Sequence, residues 1–264
     1  GLPLQLLTVL EKWFISCFTR VKWNSIFSSF FKLEAGIRQG GVLSPYLFAV
    51  YANDIIAAVK KLPFGCQYKH ICVSILMYAD DIILIAPSVV SLQMLVSACE
   101  HELASLDMAI NAKKSVCMRI GPRFNVSCCT IITADGNDLP WVDKLRYLGV
   151  CIVSARNFRC CISDAKKSFY RSFNAIFGKI GRMASEETVV ELLMKKSLPC
   201  LTYGPEACTL FKRDISSLKF AFDCVIRKVF SVSSQDAVDE CLQAFEIKSL
   251  SETMLRKRLG FINR

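Results

Sequence analysis

The sequence predicts an α+β fold, in which helices cover one face of a mainly antiparallel sheet and a mainly helical region follows. Two observations support this fold class. Up to residue 153, short apolar runs bounded by turn residues alternate with amphipathic helical patterns. From residue 151 onward helical periodicity predominates, and glycines mark the boundaries of the helical patterns. A sheet-containing part should therefore precede a helical part.

Apolar residues recur at helical spacing in several segments. Ser44 and Pro45 have the residue types of an N-cap and a first helical position. Helices are predicted over residues 4–18, 45–60, 91–108, 164–182, 186–198, 214–230 and 236–258.

Strands are predicted where short apolar runs flank turn residues. Residues 21–23 and 26–33 should pair across a turn at Asn24 and Ser25. A single strand is expected at 116–120. Residues 130–133 should pair with 145–153, with Gly136 in the intervening turn.

The charge of the chain favours an anionic partner. Its 264 residues carry a formal net charge of +10, and residues 151–264 alone hold 19 Lys and Arg against 12 Asp and Glu. Nucleic acid or an anionic membrane surface would suit this charge, although ordinary basic solubility also accounts for it. No run of 18 apolar residues is present, so no transmembrane helix is expected. No signal peptide is expected either. Because the chain opens with Gly1 directly in a helical pattern, we expect it to be a piece of a longer protein.

Fourteen cysteines are present, including the adjacent pairs at 128–129 and 160–161, but no Cys-x-x-Cys motif. With only two histidines, no zinc-finger spacing can be built. The prediction is that the cysteines are reduced, small, buried apolar residues of an intracellular protein in a reducing compartment.

Asp80 and Asp81 stand between two apolar runs, residues 73–77 and 82–86, which read as buried strands of a hairpin with a four-residue turn. Because an unpaired buried carboxylate costs several kcal/mol, the two acids should lie at an exposed tip. Carboxylates on a rigid turn suit Mg²⁺, which binds one or two of them together with phosphate oxygens. The arrangement therefore predicts phosphoryl-transfer chemistry, whereas the alternative is an ordinary turn, since Asp favours turns.

A glycine-rich loop precedes the helix that is predicted to start at Pro45. Its glycines allow close backbone approach to a ligand, and a helix N-terminus attracts negative charge. Arg38 can pair with a phosphate, and Gln39 can hydrogen-bond a base or sugar. A purely structural turn remains the alternative.

The helix predicted at 164–182 has an aromatic face and an opposite basic face. The basic face would suit the backbone of a nucleic-acid duplex, and a solvated surface is the alternative. Its four basic residues are Lys167, Arg171, Lys179 and Arg182.

Four segments resemble the polymerase motifs of reverse transcriptases, in the same order. They are Gly-Ile-Arg-Gln-Gly-Gly-Val-Leu-Ser-Pro (36–45), Tyr-Ala-Asp-Asp (78–81), Asn-Ala-Lys-Lys-Ser (111–115) and Tyr-Leu-Gly-Val (147–150). The residues of these motifs, and the helical region that follows them, resemble those of non-LTR (LINE-type) retrotransposon enzymes more than those of retroviral ones. The resemblance implies the palm of a right-hand polymerase over residues 1–153, incomplete at its N-terminus, and a helical thumb and C-terminal extension over 154–264.

The resemblance also implies an activity, RNA-directed DNA polymerisation by nucleotidyl transfer to a primer 3′-hydroxyl. Its implied partners are an RNA template, a DNA primer and deoxynucleoside triphosphates, with no membrane, acting in the nucleus or cytoplasm. Asp80 would bind two catalytic Mg²⁺ ions about 3.5–4 Å apart, assisted by Asp81. Lys114, or its neighbour Lys113, would neutralise or protonate the pyrophosphate.

Further residue roles follow from the same resemblance. The nucleotide and template base would be contacted by Arg38, Gln39 and Gly40. Tyr78 would pack near the primer end. The primer strand would be positioned by Tyr147, Leu148, Gly149 and Val150, the primer grip. The basic helix would lie along the template–primer duplex.

One feature of the family pattern is missing. A further catalytic aspartate is expected from an earlier strand, and the acids before the glycine-rich loop, Glu11 and Glu34, do not fit it. Asp54 lies inside a predicted helix and is a poor substitute. This aspartate is expected upstream of Gly1, so the 264-residue chain alone should not polymerise DNA.

Three alternatives remain open. The chain could be a degenerate or domesticated remnant that binds nucleic acid without catalysis, which an in-frame upstream aspartate would argue against. The second is an RNA-dependent RNA polymerase or another palm polymerase, against which the Tyr-Ala-Asp-Asp and Arg-Gln-Gly sequences argue. The third is a basic binding module without polymerase activity.

Overall fold

The structure, a computed structural model, describes residues 3–34, 40–181, 183–208 and 210–263. Arg38 and Gln39 of the predicted glycine-rich loop and Arg182 of the predicted basic helix lie outside the described residues. The chain divides into two compact units, Gly1–Met108 and Ala109–Arg264. The predicted boundary between functional domains at residues 153 and 154 is a different division and stays a prediction.

The first unit combines four helices with four antiparallel strand pairs among its described residues, and three of these pairs are hairpins. Its helices are α1 (Leu4–Ile15), α2 (Ser44–Tyr51), α3 (Asn53–Lys61) and α4 (Val89–Ser105). Its strands are β1 (Phe18–Thr19), β2 (Lys22–Trp23), β3 (Ile26–Phe27), β4 (Phe31–Lys32), β5 (Gln67–Tyr68), β6 (Ile71–Cys72), β7 (Ile75–Tyr78) and β8 (Asp81–Leu84). The antiparallel pairs are β1–β4, β2–β3, β5–β6 and β7–β8. The predicted turn at Asn24 and Ser25 is confirmed between β2 and β3.

The core of the first unit lies where α3 and α4 pack together and against the β7–β8 hairpin. α3 supplies Ile55 and Val59, and Ile75 of β7 is also buried. α4 contributes Leu95, Val96, Cys99 and Leu103, which recur at helical spacing as the sequence predicts. Ser88 caps α4 by accepting a hydrogen bond from the Ser91 backbone N–H at 3.1 Å.

The helix predicted at 45–60 differs from the structure in two respects. Ser44 is the first helical residue and not the N-cap, which is Leu43. The helix is also interrupted at Ala52, whose ψ of −1° departs from helical geometry. The interruption separates α2, which buries no residue, from α3, which buries two.

The second unit places short strands before a helical bundle. Its strands are β9 (Ile131–Ile132), β10 (Asp138–Leu139), β11 (Lys144–Tyr147), β12 (Val150–Val153) and β13 (Arg159–Cys160). Its α-helices are α5 (Ile162–Ile180), α6 (Glu186–Leu192), α7 (Leu198–Thr202), α8 (Lys212–Phe230), α9 (Gln235–Ala244) and α10 (Leu250–Ile262). A π-helical turn at Leu193–Ser197 joins α6 to α7, and a 3₁₀ turn at Pro205–Ala207 follows. The helix predicted at 236–258 is therefore two helices.

Two strand predictions in this unit are wrong. Residues 130–133 do not pair with 145–153, because β9 pairs with β10 and β11 pairs with β12. The expected strand at 116–120 is reduced to an isolated bridge between Cys117 and Trp141. Local turns explain the change, since Gly136, at φ +77°, closes a short β9–β10 hairpin and closing a short loop costs less entropy than a long one.

The core of the second unit is helical, as its periodicity predicts. Phe169 and Phe173 of α5 are buried together with Leu218 and Phe222 of α8. The cluster continues through Val190, Leu193, Leu198, Leu201, Val225, Ile226, Val238, Leu242, Ile247 and Leu250. Within the described ranges, every helix is too short or too polar to cross a lipid bilayer.

The predicted fold class is confirmed only in outline. Helices and antiparallel strands are both present, but the described strands form small separate sheets of two or three strands instead of one sheet with helices on one face. Most strands are two residues long and none exceeds four in the described part, so each offers few ladder hydrogen bonds to further partners.

The prediction that all cysteines are reduced and buried is wrong. Cys160 and Cys208 form a disulfide, with their Cα atoms 6.4 Å apart, a normal separation for this bond. Among the free cysteines of the described residues, Cys17, Cys99 and Cys117 are buried, whereas the others are partly or fully exposed. The adjacent residue Cys161 takes no part in the disulfide, because successive residues of a strand face opposite sides.

We predict that Gly65→Ala destabilises the first unit. A Cβ at this glycine would lie 1.7 Å from Ser74 Oγ and 2.4 Å from Ser74 Cβ, and Ser74 is buried where it hydrogen-bonds the Cys66 carbonyl. The expected loss is about 1–3 kcal/mol of unfolding free energy, measured by urea denaturation. Gly178→Ala is the control, because at this exposed residue inside α5 no atom of the described residues lies within 4 Å of the added Cβ. This substitution should raise the unfolding free energy by about 1 kcal/mol. Equal effects of the two substitutions would contradict the steric explanation.

Candidate functional site

The β7–β8 hairpin carries the two adjacent aspartates. Its register pairs Ile75 with Leu84 and Tyr78 with Asp81. The turn is thus two residues long, Ala79 and Asp80, and not four as predicted. Asp80 lies in the turn itself, whereas Asp81 opens β8 opposite Tyr78.

The predicted exposed tip is confirmed, since Asp80 and Asp81 are both exposed. The predicted burial of the strands is only partial, because Leu76 and Tyr78 are exposed while Ile75 is buried. Side chains alternate between the two faces of a strand, so this hairpin has one packed face and one open face. Both carboxylates therefore remain exposed to water, although the hairpin that carries them packs against the core.

The chemistry of this tip fits a hard cation in part. Carboxylate oxygens are the ligands that Mg²⁺ prefers, and among the described residues no hydrogen bond or ion pair occupies either carboxylate. However, Asp80 and Asp81 belong to no group of three His, Cys, Asp or Glu ligands in the described part of the chain. The tip thus offers two oxygen-donor side chains, and a further ligand must come from elsewhere.

The glycine-rich loop is described only from Gly40 onward. Gly40 has φ +81°, a left-handed conformation that favours glycine, and no atom of the described residues lies within 4 Å of an added Cβ. The site roles predicted for Arg38 and Gln39 fall outside the described residues. α2 begins four residues after Gly40 and has Pro45 in its first turn.

Lys114 lies in the second unit, in a turn. The backbone N–H groups of Lys114 and Ser115 both donate to the Asn111 carbonyl, at 3.0 and 2.9 Å. Lys113 and Lys114 are both exposed, so the choice between these two amines stays open.

The predicted primer-grip residues form the tip of the β11–β12 hairpin. Tyr147 pairs with Val150, and Leu148 and Gly149 make the two-residue turn. Both turn residues have positive φ, +45° at Leu148 and +83° at Gly149, as hairpin turns with the native strand twist require. Leucine rarely adopts this conformation, so other contacts must hold it.

Tyr203 and Gly204 supply these contacts. The Tyr203 hydroxyl donates to the Leu148 carbonyl at 3.0 Å, and its ring lies close to Gly149. A Cβ added at Gly204 would come within 2.9 Å of Val150 Cγ1. Sequence reasoning missed both residues, because a Tyr-Gly pair some 50 positions away carries no signal of this contact.

α5 is amphipathic in the predicted sense. Phe169 and Phe173 are buried, whereas Lys167, Arg171 and Lys179 are exposed. These three make no ion pair with a described residue, in contrast to Arg159, which pairs with Asp214 at 2.9 Å. Three of the four predicted backbone-contacting cations therefore point to solvent.

The first turn of α5 holds a distinct polar cluster. The Cys151 and Cys161 thiols beside the Asp164 carboxylate lower the pKa of that carboxyl group. Burial and the nearby carboxylate raise the pKa of the Cys151 thiol to about 12. Sequence analysis assigned no role to these three residues.

Comparisons with known proteins relate this chain to mobile-element polymerases. Residues 3–152 match the family model described as reverse transcriptase (RNA-dependent DNA polymerase). An RNA-directed DNA polymerase from mobile element jockey of Drosophila funebris is 30% identical over 52% of the chain and 15% of its own length. A Pol polyprotein from type-1 retrotransposable element R2 of Popillia japonica is 27% identical over 65% of the chain and 24% of its own length. The chain thus spans at most about a quarter of these relatives.

We predict that Ala79→Gly stabilises the β7–β8 hairpin. Ala79 has φ +53°, which is unfavourable for a residue with a Cβ and free of that cost for glycine. The expected gain is up to about 1 kcal/mol in urea denaturation. Ala112→Gly, at a turn residue without positive φ, is the matched control and should give no gain. A loss at Ala79 would show that the turn is not strained.

We also predict that Tyr203→Phe loosens the β11–β12 turn. It removes the hydrogen bond to Leu148, which at an exposed position contributes about 0.5–1 kcal/mol. Amide hydrogen exchange should become faster at Leu148 and Gly149. Tyr68→Phe, at a tyrosine whose hydroxyl has no hydrogen-bond partner among the described residues, should leave exchange there unchanged. Unchanged exchange in Tyr203→Phe would contradict this role.

Proposed function

Since this chain belongs to the reverse transcriptase (RNA-dependent DNA polymerase) family, we propose that its parent protein is the RNA-directed DNA polymerase of a non-LTR retrotransposon. The substrates would be an RNA template, a DNA primer and deoxynucleoside triphosphates. The observation that carries this proposal is the exposed Asp80–Asp81 tip inside the region that matches the family. The name of the jockey relative, an RNA-directed DNA polymerase, supports this activity, and both relatives support a mobile-element origin.

Asp80 and Asp81 would hold the catalytic Mg²⁺ ions at the hairpin tip. When bound, these ions supply activation of the primer 3′-hydroxyl and stabilisation of the leaving pyrophosphate. The short turn limits how far the two carboxylates can move, which favours a preorganised site. Tyr78, paired with Asp81 and exposed, would contact the primer end.

The remaining side chains would bind and orient the substrates. Arg38, Gln39 and Gly40 would contact the incoming nucleotide and the template base. An ammonium group, Lys114 or Lys113, would neutralise the pyrophosphate. Residues 147–150 would position the primer strand, and their turn is held by Tyr203.

The domain assignment is part of this proposal. Residues 1–153 would form most of the palm, and 154–264 the helical thumb and C-terminal extension. The exposed cations of α5, Lys167, Arg171 and Lys179, together with Arg182, would lie along the backbone of the template–primer duplex.

Nucleic-acid binding without catalysis is a second candidate function. It is favoured by one observation, that Asp80 and Asp81 have no third acidic partner among the described residues. A degenerate or domesticated element would retain the basic surface while the carboxylates lost their role. The two candidates differ in what Asp80 does.

Primer extension tests both candidates. The 264-residue chain, and a longer product that includes the upstream part of the reading frame, would be incubated with a labelled DNA primer on an RNA template, deoxynucleotides and Mg²⁺. We expect extension by the longer product and none by the 264-residue chain. Asp80→Asn in the longer product should abolish extension by removing a metal ligand, while binding of the template–primer, followed by fluorescence anisotropy, should be retained.

Each outcome of the primer-extension experiment supports or contradicts one of the two candidate functions. Extension that survives Asp80→Asn would contradict the catalytic assignment. Binding without extension by either product would favour the second candidate. Failure of both products to bind the template–primer would exclude both functions. Robust extension by the 264-residue chain would refute the need for a further ligand.

As a separate prediction, Lys167→Gln combined with Arg171→Gln should weaken template–primer binding without affecting folding. Removing two phosphate contacts should lower the salt dependence of log Kd by about two units of slope. Lys195→Gln with Lys196→Gln, an exposed pair of cations in the same unit, is the matched control. An equal effect of the two pairs would indicate non-specific attraction by net charge.

A further inference from the structure

We propose that Cys151, Cys161 and Asp164 form a binding site for a thiophilic divalent metal ion, Zn²⁺ in the first instance. The two sulfur atoms and a carboxylate oxygen all lie within 4.8 Å of one another. This cluster shares no residue with the hairpin tip that carries Asp80 and Asp81. It is independent of the proposed polymerase function.

The strand register brings the two thiols together. β12 and β13 pair Ile152 with Cys160, and the ladder extends by one position, where the Cys161 N–H donates to the Cys151 carbonyl at 2.7 Å. Cys151 and Cys161 are therefore directly opposite each other across two strands. Side chains at opposed positions of an antiparallel pair share one face.

The same alternation keeps Cys160 away from this face. Cys160 is bonded to Cys208 on the other side of the strand. A strand with two adjacent cysteines thus directs one sulfur to a disulfide and leaves the other free beside Cys151. Strand pairing therefore creates the cluster. Neither the spacing of these cysteines in the sequence nor a Cys-x-x-Cys motif indicates it.

The start of α5 supplies the third ligand. Cys161 is the N-cap of this helix, and Asp164 lies in the first turn. The two sulfur atoms and a carboxylate oxygen lie within 4.8 Å of one another, so the three groups converge on one point. A metal ion would replace the thiol protons at that point, since only the thiolate forms of cysteine bind metals.

The donor set selects the class of ion. Zn²⁺ binds Cys sulfur at about 2.3 Å and Asp oxygen at about 2.0–2.2 Å, and tetrahedral ligands at those distances lie about 3.8 Å or less apart. Only a small inward movement separates the present positions from such a site. With three protein ligands, the fourth position would be open to water.

The charges around the proposed Zn²⁺ site are also compatible with metal binding. Two thiolates and one carboxylate around Zn²⁺ would leave a net charge of −1. Lys144, on β11, and Lys167, one turn further along α5, both lie close enough to influence the Asp164 carboxylate. They would offset the excess negative charge, and all three ligands are partly accessible to an incoming ion.

Cobalt substitution tests the site directly in the 264-residue chain. Co²⁺ would be titrated into the protein in anaerobic buffer without reductant, which keeps the Cys160–Cys208 disulfide and the free thiols. We expect one equivalent of Co²⁺ with sulfur-to-cobalt charge-transfer absorption, displaced by Zn²⁺. Cys151→Ser, Cys161→Ser and Asp164→Asn should each weaken binding by more than about tenfold.

Cys200→Ser is the matched control, because Cys200 is a partly exposed cysteine of the same unit outside the cluster. It should leave affinity and spectrum unchanged. A spectrum unaffected by the cluster substitutions, or binding without charge transfer, would overturn the proposal.

A second measurement avoids the question of whether variants fold. In the unaltered chain, Zn²⁺ should protect Cys151 and Cys161 from alkylation, with the modified residues identified by mass spectrometry. Cys129 and Cys200 should remain reactive in the same sample. Equal alkylation of all four with and without Zn²⁺, or a Cys151–Cys161 disulfide formed in place of protection, would show that the cluster is not a metal site.

Discussion

Packing of the β7–β8 hairpin onto α3 and α4 is the interaction on which the placement of the two adjacent carboxylates depends. Ile75 is buried at the start of the hairpin, and the Ile85 N–H donates to the Ser74 carbonyl at 2.8 Å, which extends the ladder beyond β8. Buried apolar contacts thus fix one end of the hairpin. The other end projects into solvent, so Asp80 and Asp81 avoid the cost of burying charge.

In the second unit a helix likewise buries one side in the core and exposes the other side to solvent. α5 contributes Phe169 and Phe173 to the helical core, while its opposite side remains basic and exposed. Tyr203 and Gly204, at the end of α7, hold the β11–β12 turn by a hydrogen bond and by close contact. The hairpin that carries residues 147–150 is thus held by the residues that follow α7, and α7 in turn packs against the basic helix α5.

Strand pairing decides the chemistry of the cysteines. Near Cys160 and Cys161 the alternation of a single short strand divides two neighbouring sulfur atoms between a disulfide on one face and a cluster with Cys151 and Asp164 on the other. The composition suggested a uniform set of small buried residues. Burial and partner differ from one cysteine to the next because they depend on register and on distant segments such as Cys208, neither of which local sequence encodes.

The sequence by itself determined the identity of the main elements, the exposed Asp80–Asp81 tip, the amphipathic character of α5 and the family resemblance, since these depend on local periodicity and on motifs. Tertiary structure decided what local pattern leaves open: the two-residue turn at Ala79 and Asp80, the β9–β10 and β11–β12 pairings, the break at Ala52 and the Tyr203 contact. The physical reason is that backbone φ/ψ preferences and hydrophobic spacing act over a few residues. Register, disulfide partner and ligand convergence are settled by which distant surfaces pack together.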